Sequence, residues 1–374
     1  MNNILVIGAG NIGSMIAALL ADCGDYAVTV ADASATALAS VPKAPGIDTL
    51  ELSVDDSNRL MDAMRGKYAV ISAAPYSVTA AIARAAQAVG VHYLDLTEDV
   101  RTTQTVKELA RTATHALIPQ CGLAPGFISI VAMDLARRFE KLDTLRLRVG
   151  ALPQFPSNAL GYNLTWSTAG VINEYCQPCE AIVQGKLTDV PPLEELERFT
   201  LDGVQYEAFN TSGGLGTLCE TLAGDVRNLN YRTIRYPGHR DVMKLLLQDL
   251  RLAERPSILA DVLENAIPAT RQDVVVIFVT ATGQHQGRTW QESYAHSVYP
   301  QHLAGREWTA IQTTTASSVC AVLDLLVAGR LPSKGFVRQE DIRLDEFLAN
   351  RFGRAYAAHA GATAAQNDVR RNHS

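Results

Sequence analysis

The sequence lacks the features that mark membrane proteins, nucleic-acid-binding proteins and secreted proteins. No apolar run reaches the roughly 18 residues that a membrane-spanning helix needs. The first predicted strand starts within a few residues of the N-terminus, which leaves no room for a signal peptide. A net charge of −6 at pH 7 gives no reason to expect nucleic acid or an anionic membrane as a partner. These absences predict a cytoplasmic protein.

Metal and redox motifs are also scarce. Of six cysteines only Cys176 and Cys179 form a CxxC pair, and no second pair or nearby histidine completes a zinc site. Pro178 lies inside the pair and the segment follows a helical pattern, whereas a redox CxxC normally follows a strand and opens a helix. We therefore expect reduced thiols and no metal; a metal or redox role is the alternative.

The N-terminal stretch MNNILVIGAGNIG carries the strongest positive signal. An apolar run at 3–7 is followed by Gly8, Gly10 and Gly13 and then by an Ala/Leu-rich amphipathic run, which predicts a strand, a tight turn and a helix. In such a turn the second glycine lets the backbone approach a pyrophosphate, and the N–H groups of the new helix face the phosphates. The stretch predicts a dinucleotide site; the alternative is that the glycines serve packing alone.

A carboxylate closes the second predicted strand, 28–31. Asp32 can accept hydrogen bonds from a ribose 2′-hydroxyl and repels a 2′-phosphate. The sequence therefore favours NAD over NADP as the cofactor. In the packing alternative, Asp32 is a turn residue.

Strands and helices continue to alternate after Asp32. Apolar strands are predicted over 3–7, 28–31, 49–52, 68–73, 91–96 and 115–119. This pattern predicts an α/β domain over 1–124, with a doubly wound parallel sheet of the Rossmann type that binds ligands beyond the carboxyl ends of its strands. The candidate cofactor-binding residues at these ends and in the glycine turn are Gly8, Gly10, Asn11, Ile12, Gly13, Asp32, Ala33, Ala73, Ala74, Pro75, Thr97, Gly122, Leu123, Pro125 and Gly126.

The chain is long enough for a second domain, and its pattern changes after residue 124. A helix is predicted over 127–140, and alternating apolar and polar positions predict strands over 145–150, 272–281 and 290–298. We expect an α+β substrate-binding domain on a mixed sheet over 125–309. An apolar helix at 313–330 should return to the first domain within a segment of about 310–350, and the tail 355–374 is expected to fray.

Three clusters of the second domain mix glycine with polar residues. They are 161–167 (GYNLTWS), 210–218 (NTSGGLGTL) and 233–240 (TIRYPGHR). The turn of Thr211, Ser212 and Gly213 can hold a carboxylate on its N–H groups, although an ordinary helix cap has the same sequence. Arg235 can bind a carboxylate bidentately and His239 titrates near neutrality; the alternatives are a surface arginine and a packed imidazole.

Several separated motifs together resemble one known family. The stretches GAGNIG with VTVAD, GLAPG, YNLTWSTAGVINEY, EAFNTSGGLGTL, TIRYPGH and WTAIQTTTASSV are similar to the saccharopine dehydrogenase family, and within it to the lysine 6-dehydrogenase branch. The resemblance implies a Rossmann domain, a second domain with the substrate site and a homodimer interface, and NAD(P)-linked chemistry at a C–N bond. It also implies a cleft lined by Tyr76, Asp95, Tyr162, Asn163, Ser212, Arg235 and His239.

Oxidation of a lysine-type amine requires a base. The amine has an unperturbed pKa near about 10.4 and arrives protonated, so a side chain must remove a proton before hydride can leave. Asp95 at a strand end and His239 are the two candidate bases, and Tyr76 is grouped with them as catalytic. The predicted substrate-binding residues are Arg235, Thr211, Ser212 and Gly213 for the amino-acid carboxylate, and Tyr162 and Asn163 for the side chain.

Two other interpretations remain open at this point. A saccharopine dehydrogenase acts on a secondary amine with an extra dicarboxylic arm, which demands a second cationic clamp that Arg146 and Arg148 can supply. A nucleotide-responsive binding protein without turnover is the alternative of another class, and the presence of Asp95, Arg235 and His239 argues against it. In each case the expected partner is a small-molecule amino acid.

Overall fold

A computed structural model describes residues 1–165 and 167–357, so Trp166 and most of the predicted tail, 358–374, lie outside the described residues. The described start of that tail is not frayed. Residues Gly353–Tyr356 form a 3₁₀ turn, and the buried Tyr356 ring stacks on Phe127 at 3.9 Å.

Strands and helices alternate in the first part of the chain, and strands prevail afterwards. The strands are β1 (Asn2–Ile7), β2 (Tyr26–Asp32), β3 (Ile47–Glu51), β4 (Ala69–Ser72), β5 (His92–Asp95), β6 (Ala116–Ile118), β7 (Lys141–Pro153), β8 (Cys179–Val183), β9 (Lys186–Val190), β10 (Glu197–Leu201), β11 (Val204–Asn210), β12 (Asn228–Arg235), β13 (Asp273–His285), β14 (Arg288–Val298), β15 (Gln301–Leu303), β16 (Arg306–Trp308) and β17 (Gly335–Phe336). The helices are α1 (Asn11–Asp22), α2 (Ala35–Ala39), α3 (Ser57–Met64), α4 (Tyr76–Val89), α5 (Val100–Ala110), α6 (Phe127–Ala136), α7 (Thr168–Cys176), α8 (Leu218–Thr221), α9 (His239–Lys244), α10 (Pro256–Ala266), α11 (Ala310–Val327) and α12 (Leu344–Ala349).

The first sheet is parallel throughout and has the order β17-β6-β5-β4-β1-β2-β3. Its inner strand β1 is apolar and buried from Ile4 to Ile7, because helices cover both faces of the sheet. The strand order reverses at β1, next to β4, and the glycine turn lies at this switch point. Such a point is where parallel sheets bind ligands.

The second sheet is mixed, with the order β10-β11-β12-β7-β13-β14, and β8 and β9 extend from β12. The long central strand β7 runs parallel to β12 and antiparallel to β13. Together the two sheets confirm the predicted fold class, a doubly wound parallel sheet beside an α+β domain on a mixed sheet.

The helix α11 packs between the two sheets. It contacts α1, which covers the first sheet, and β13 of the second sheet. After α11, the chain adds β17 to the edge of the first sheet, beside β6. The carboxylate of Asp273 accepts hydrogen bonds from the first backbone N–H groups of α11, at 2.6 Å from Ala310 and 2.9 Å from Ile311. This cap fixes the start of α11 against the second sheet.

The same helix corrects the prediction that no segment is long and apolar enough to span a membrane. The 18 residues of α11 pass that test by length and composition, but 72% of them are buried within the protein. Because its neighbours on two sheets already cover it, α11 has the surroundings of a core helix.

Candidate functional site

The glycine turn connects β1 to α1 at the switch point. Gly8 has a φ of +110°, which favours glycine, and a Cβ on Gly13 would lie 1.9 Å from the carbonyl oxygen of Gly8. A Cβ on Gly10, by contrast, would meet nothing within 4 Å. Gly8 and Gly13 are therefore required by packing, whereas Gly10 faces open space at the start of α1, where unpaired N–H groups can hold a phosphate.

The carboxylate of Asp32 supports the glycine turn. It accepts hydrogen bonds from the backbone N–H groups of Ala9 and Ser34, both at 2.8 Å. Asp32 remains partly exposed at the end of β2, so its free lone pairs can also accept from a ribose hydroxyl.

A cavity of about 730 Å³ extends from this turn to the second sheet. Of the predicted site residues, those that line it are Gly10, Asn11, Ile12, Ala73, Gly122, Leu123, Pro125 and Arg235. The predicted cofactor residues that do not line it are Gly8, Gly13, Asp32, Ala33, Ala74, Pro75, Thr97 and Gly126. The cavity thus joins the N-terminal end of α1 to a polar wall supplied by the second domain.

Asp95 is not placed to act as a base in this cavity, which corrects one prediction. Its side chain is fully buried, and its carboxylate accepts hydrogen bonds from the backbone N–H groups of Thr97 at 3.0 Å and Gln120 at 2.9 Å and from the Tyr93 hydroxyl at 2.8 Å. Burial raises the pKa of Asp95 to about 6, although these hydrogen bonds oppose the rise. Asp95 holds together two loops that line the cavity.

His239, the second predicted base, also lies outside the cavity lining. Its side chain is buried, with Nδ1 at 3.0 Å from the carbonyl oxygen of Leu160 and Nε2 at 3.1 Å from the Tyr175 hydroxyl. Burial, followed by the charge of Arg235, lowers the pKa of His239 to about 3. It is the packed imidazole of the alternative interpretation.

Three other predicted residues also lie off the cavity. Tyr76 starts α4 with 54% of its surface exposed. Tyr162 and Asn163 are buried, and the Tyr162 ring packs against Arg235, with 5.2 Å between the guanidinium carbon and the ring centre. The Tyr162 ring supports Arg235 in the structure, because it packs against the guanidinium.

The turn of Thr211, Ser212 and Gly213 does not face the cavity as a carboxylate clamp. Ser212 donates through its N–H, at 3.1 Å, and through its hydroxyl, at 3.4 Å, to the backbone carbonyl of Glu174. A Cβ on Gly213 would lie 3.2 Å from the Cβ of Glu98. Thr211 is buried, and its hydroxyl has no hydrogen-bond partner among the described residues. The turn packs between two glutamates instead.

These two glutamates, which the prediction missed, are the acidic groups of the cavity wall. Burial raises the pKa of Glu174 to about 8, the charge of Glu98 adds to the rise, and Arg235 opposes it. Burial and then Asp99 raise the pKa of Glu98. A sequence signal existed for both, since Glu98 follows the β5 strand end and Glu174 lies in the NEY motif.

Arg235 is the cation of this wall and keeps its predicted place. Only 2% of its surface is exposed. Its Nε donates to the Tyr175 hydroxyl at 2.9 Å and one terminal nitrogen donates to the carbonyl of Ile234 at 2.9 Å. No ion pair links Arg235 to a carboxylate among the residues that the structure describes. Such a buried, unpaired cation is costly unless a ligand supplies the anion.

The second cation of the cavity is not one of the two that the sequence suggested. Arg148 is buried away from the cavity in an ion pair with Glu197, and Arg146 is exposed. Arg271, at the rim before β13, lines the cavity instead. In the described ranges no group of three or more His, Cys, Asp or Glu side chains is placed to hold a metal ion, and Cys176 and Cys179 are free thiols.

Both halves of the chain match models of known protein families. Residues 4–118 match the saccharopine dehydrogenase NADP binding domain, and residues 122–353 match the saccharopine dehydrogenase C-terminal domain. The chain belongs to the saccharopine dehydrogenase family. This family comprises oxidoreductases that use a nicotinamide dinucleotide, and the glycine turn of this chain fits that cofactor.

Individual members of the saccharopine dehydrogenase family are distant in sequence. The mitochondrial alpha-aminoadipic semialdehyde synthase of Rattus norvegicus is 25% identical over 197 residues, which is 50% of this chain and 21% of that protein. The NADP(+), L-glutamate-forming saccharopine dehydrogenase of Saccharomyces cerevisiae is 26% identical over 183 residues, 46% of this chain and 40% of that protein. The sequence matches thus cover less than half the length of these two relatives.

A solved structure of this family shares the fold. Apo saccharopine dehydrogenase (L-Glu forming) from Saccharomyces cerevisiae superposes with a TM-score of 0.74 at 16% identity, and the match covers 91% of this chain and 94% of that one. The two domain matches confirm the predicted family, and this solved structure shows the shared fold.

Two glycines of the turn, Gly10 and Gly13, give a matched test of the cofactor site. Gly13→Ala should lower the unfolding temperature, because its Cβ collides with the Gly8 carbonyl. Gly10→Ala should leave the unfolding temperature unchanged and weaken binding of the dinucleotide by about tenfold or more, because its Cβ occupies the phosphate approach. Thermal unfolding and nucleotide titration by fluorescence measure both effects. Unchanged nucleotide affinity in Gly10→Ala would contradict the assignment.

Proposed function

We propose that this protein is an NAD-dependent dehydrogenase that oxidises the amine-bearing carbon of lysine or a lysine-like amino acid. The observation that carries this proposal is that Arg235, which is buried and has no ion pair within the described part of the chain, shares one cavity with Glu98 and Glu174. A guanidinium matches a carboxylate, and two carboxylates match the ammonium groups of a diamino acid.

The balance of charge in the cavity supports a diamino monocarboxylic acid. Glu98 and Glu174 supply two acidic groups, while Arg235 and Arg271 supply two cations. A lysine-type substrate brings two ammonium groups and one carboxylate, so its charges are met with one cation left at the open rim.

The glycine turn would hold the cofactor by the N–H groups of Asn11 and Ile12, next to the open side of Gly10. A nicotinamide held there would supply the acceptor for a hydride from the amine-bearing carbon, and water would then open the resulting iminium to a carbonyl and ammonia. The wall of the second domain binds and orients the amino acid against it.

Glu174 is the group that we propose as the base. Its carboxylate lines the cavity, and its raised pKa brings it near the pH at which a proton can be both taken and released. The carboxylate attracts the substrate ammonium and then takes one of its protons, which frees the nitrogen lone pair. Glu98, whose charge raises the pKa of Glu174, completes the acidic side.

The choice of NAD over NADP is part of the proposal. Asp32 places a negative charge at the end of β2, and residues 33–42, ASATALASVP, contain no Arg or Lys that would bind a 2′-phosphate. The matched domain model and the yeast relative carry the name NADP, so the preference needs a direct test.

A saccharopine dehydrogenase is the second candidate function. The family match favours it, and so does Arg271, which can serve as the second cationic clamp that an extra dicarboxylic arm requires. The substrate saccharopine has three carboxylates, which outnumber the two cations of the cavity wall. Because of this imbalance we rank saccharopine dehydrogenase second.

A substrate panel tests the proposal. Reduction of NAD⁺, followed by absorbance of the reduced nicotinamide, is expected with lysine or a close analogue and not with saccharopine. Ornithine and polyamines serve as controls for chain length and for the carboxylate. Turnover of saccharopine alone would establish the second candidate, and no turnover with any amine would leave a nucleotide-binding protein.

The base assignment predicts a defined pH profile. Because only the carboxylate of Glu174 accepts a proton, kcat/KM should rise with pH through about 8. Glu174→Gln should lose this rise and reduce kcat/KM by about 10² to 10⁴. Glu98→Gln is the control: it should keep the rise but move it to lower pH, because the charge of Glu98 raises the pKa of Glu174. A Glu174→Gln enzyme with the wild-type profile would exclude Glu174 as the base.

Cofactor choice can be tested at Asp32. Asp32→Ser removes the charge that repels a 2′-phosphate, so the ratio of kcat/KM for NADP⁺ to that for NAD⁺ should rise by about tenfold or more. Asp48→Ser, which removes one negative charge from the start of β3, should leave the ratio unchanged. The proposed contact between Asp32 and the ribose is wrong if both variants have the wild-type ratio of kcat/KM for NADP⁺ to that for NAD⁺.

A further inference from the structure

Behind the cavity wall, three buried side chains form a continuous series of hydrogen bonds. Arg235 Nε lies 2.9 Å from the Tyr175 hydroxyl, which lies 3.1 Å from His239 Nε2. The other ring nitrogen of His239 lies 3.0 Å from the carbonyl oxygen of Leu160. Each of the three side chains is at most 2% exposed. Arg235 alone reaches the cavity, so the other two act behind it.

The position of every proton in this series follows from its two ends. A backbone carbonyl can only accept, so Nδ1 of His239 donates to Leu160. In the neutral imidazole Nε2 is then the acceptor. The Tyr175 hydroxyl therefore donates to His239 and turns an oxygen lone pair toward Arg235. The guanidinium N–H donates to that lone pair. Burial and the charge of Arg235, which lower the pKa of His239, keep the imidazole neutral as this arrangement requires.

Aromatic packing fixes the imidazole in this orientation. The Phe209 ring stacks on His239 at 6.3 Å, and the edge of Tyr162 meets it at 5.5 Å. Tyr162 also covers the guanidinium of Arg235. A reoriented imidazole would lose these contacts and leave a polar nitrogen unpaired in an apolar cluster.

We infer that Tyr175 and His239 are positioning residues, which hold the guanidinium of Arg235 in the one orientation that presents its remaining N–H groups to a substrate carboxylate. This inference rests on the proposed function, because it assigns the carboxylate of the amino acid to Arg235. Two of the five donors of Arg235 are used behind the wall, by Tyr175 and by the Ile234 carbonyl, and the others remain for the ligand.

The arrangement also keeps Arg235 from pairing with an acid of its own cavity. The charges of Glu174 and Arg235 act on each other, yet no ion pair joins them. Once the Nε anchor is lost, the guanidinium is free to turn away from the ligand. The substrate carboxylate would then lose its clamp, while the acidic groups that face the ammonium groups would stay in place.

Tyr175→Phe tests the inference, because it removes one hydroxyl and keeps the buried ring. Calorimetry on the enzyme saturated with NADH measures binding of L-lysine and of 1,5-diaminopentane, which has the same chain without the carboxylate. The affinity for lysine should fall by about tenfold or more, since a hydrogen bond to a charged group is lost, and the affinity for the diamine should change less than about twofold. A merely structural defect would weaken both.

Two further variants complete the design. His239→Asn can keep the hydrogen bond to Leu160 while losing the acceptor for Tyr175, and it should give the same selective loss if Tyr175→Phe fails to fold. Tyr206→Phe is the matched control: Tyr206 is also buried, but its hydroxyl forms no hydrogen bond among the described residues. It should bind both probes as the wild type does.

Each outcome decides the inference separately from the proposed function. Equal losses for lysine and the diamine in Tyr175→Phe, or no loss for either, would overturn it. A wild-type enzyme that binds both probes equally, or neither, would also overturn it, because Arg235 would then hold no amino-acid carboxylate. Lysine that binds more tightly than the diamine but is not oxidised would reject the proposed reaction, and the ratio of affinities would still decide the positioning role.

Discussion

The site depends on one electrostatic constraint: a cation and two acids share a single cavity without neutralising one another. Arg235 is almost completely buried, and Glu174 shares its cavity with a pKa raised to about 8. An ion pair between them would be the simplest way to relieve the cost of burying both charges. No ion pair joins them in the structure, and two donors of the guanidinium are occupied on the protein side. The cavity therefore remains complementary to a ligand that carries both signs of charge.

The two halves of the chain meet this constraint by different physical means. On the first sheet, close backbone contact at Gly8 and Gly13 brings the N-terminal end of α1 to the cavity. On the second sheet, side chains make the supporting contacts. Tyr175 accepts a hydrogen bond from Arg235, the Tyr162 ring packs against Arg235, and Ser212 donates to the backbone carbonyl of Glu174. A phosphate site made of backbone suits a cofactor common to many proteins, whereas a wall of side chains can be adapted to one amino acid.

The sequence was sufficient to predict the parallel sheet and the glycine turn, since both follow from local patterns of period and spacing. The predicted strand 3–7 lies within β1. Strand β7 begins before the predicted 145–150, because the exposed polar residues Lys141 and Asp143 give its first residues no apolar signal. The hairpin of β8 and β9 was missed because its second strand is largely exposed and gives no apolar signal. The exact boundaries thus depended on tertiary packing, which a local pattern does not contain.

The candidate site was predictable as a region and not as a set of side chains. Parallel sheets bind ligands beyond the carboxyl ends of their strands, and this expectation led to Asp95. In the structure the Asp95 carboxylate points inward and accepts hydrogen bonds from two backbone N–H groups, and Glu98, three residues later, reaches the cavity instead. The motif around 233–240 contained both Arg235 and His239, yet only the arginine lines the cavity. The direction in which a side chain points decides whether it reaches the cavity. Because the partner that buries His239 is Tyr175, 64 residues away in the chain, no spacing within the motif could reveal it. The position of a conspicuous residue is therefore set by whichever distant group takes up its hydrogen bonds. In this protein those bonds leave the side chains of Glu98 and Glu174 in the cavity wall and hold the imidazole of His239 behind it.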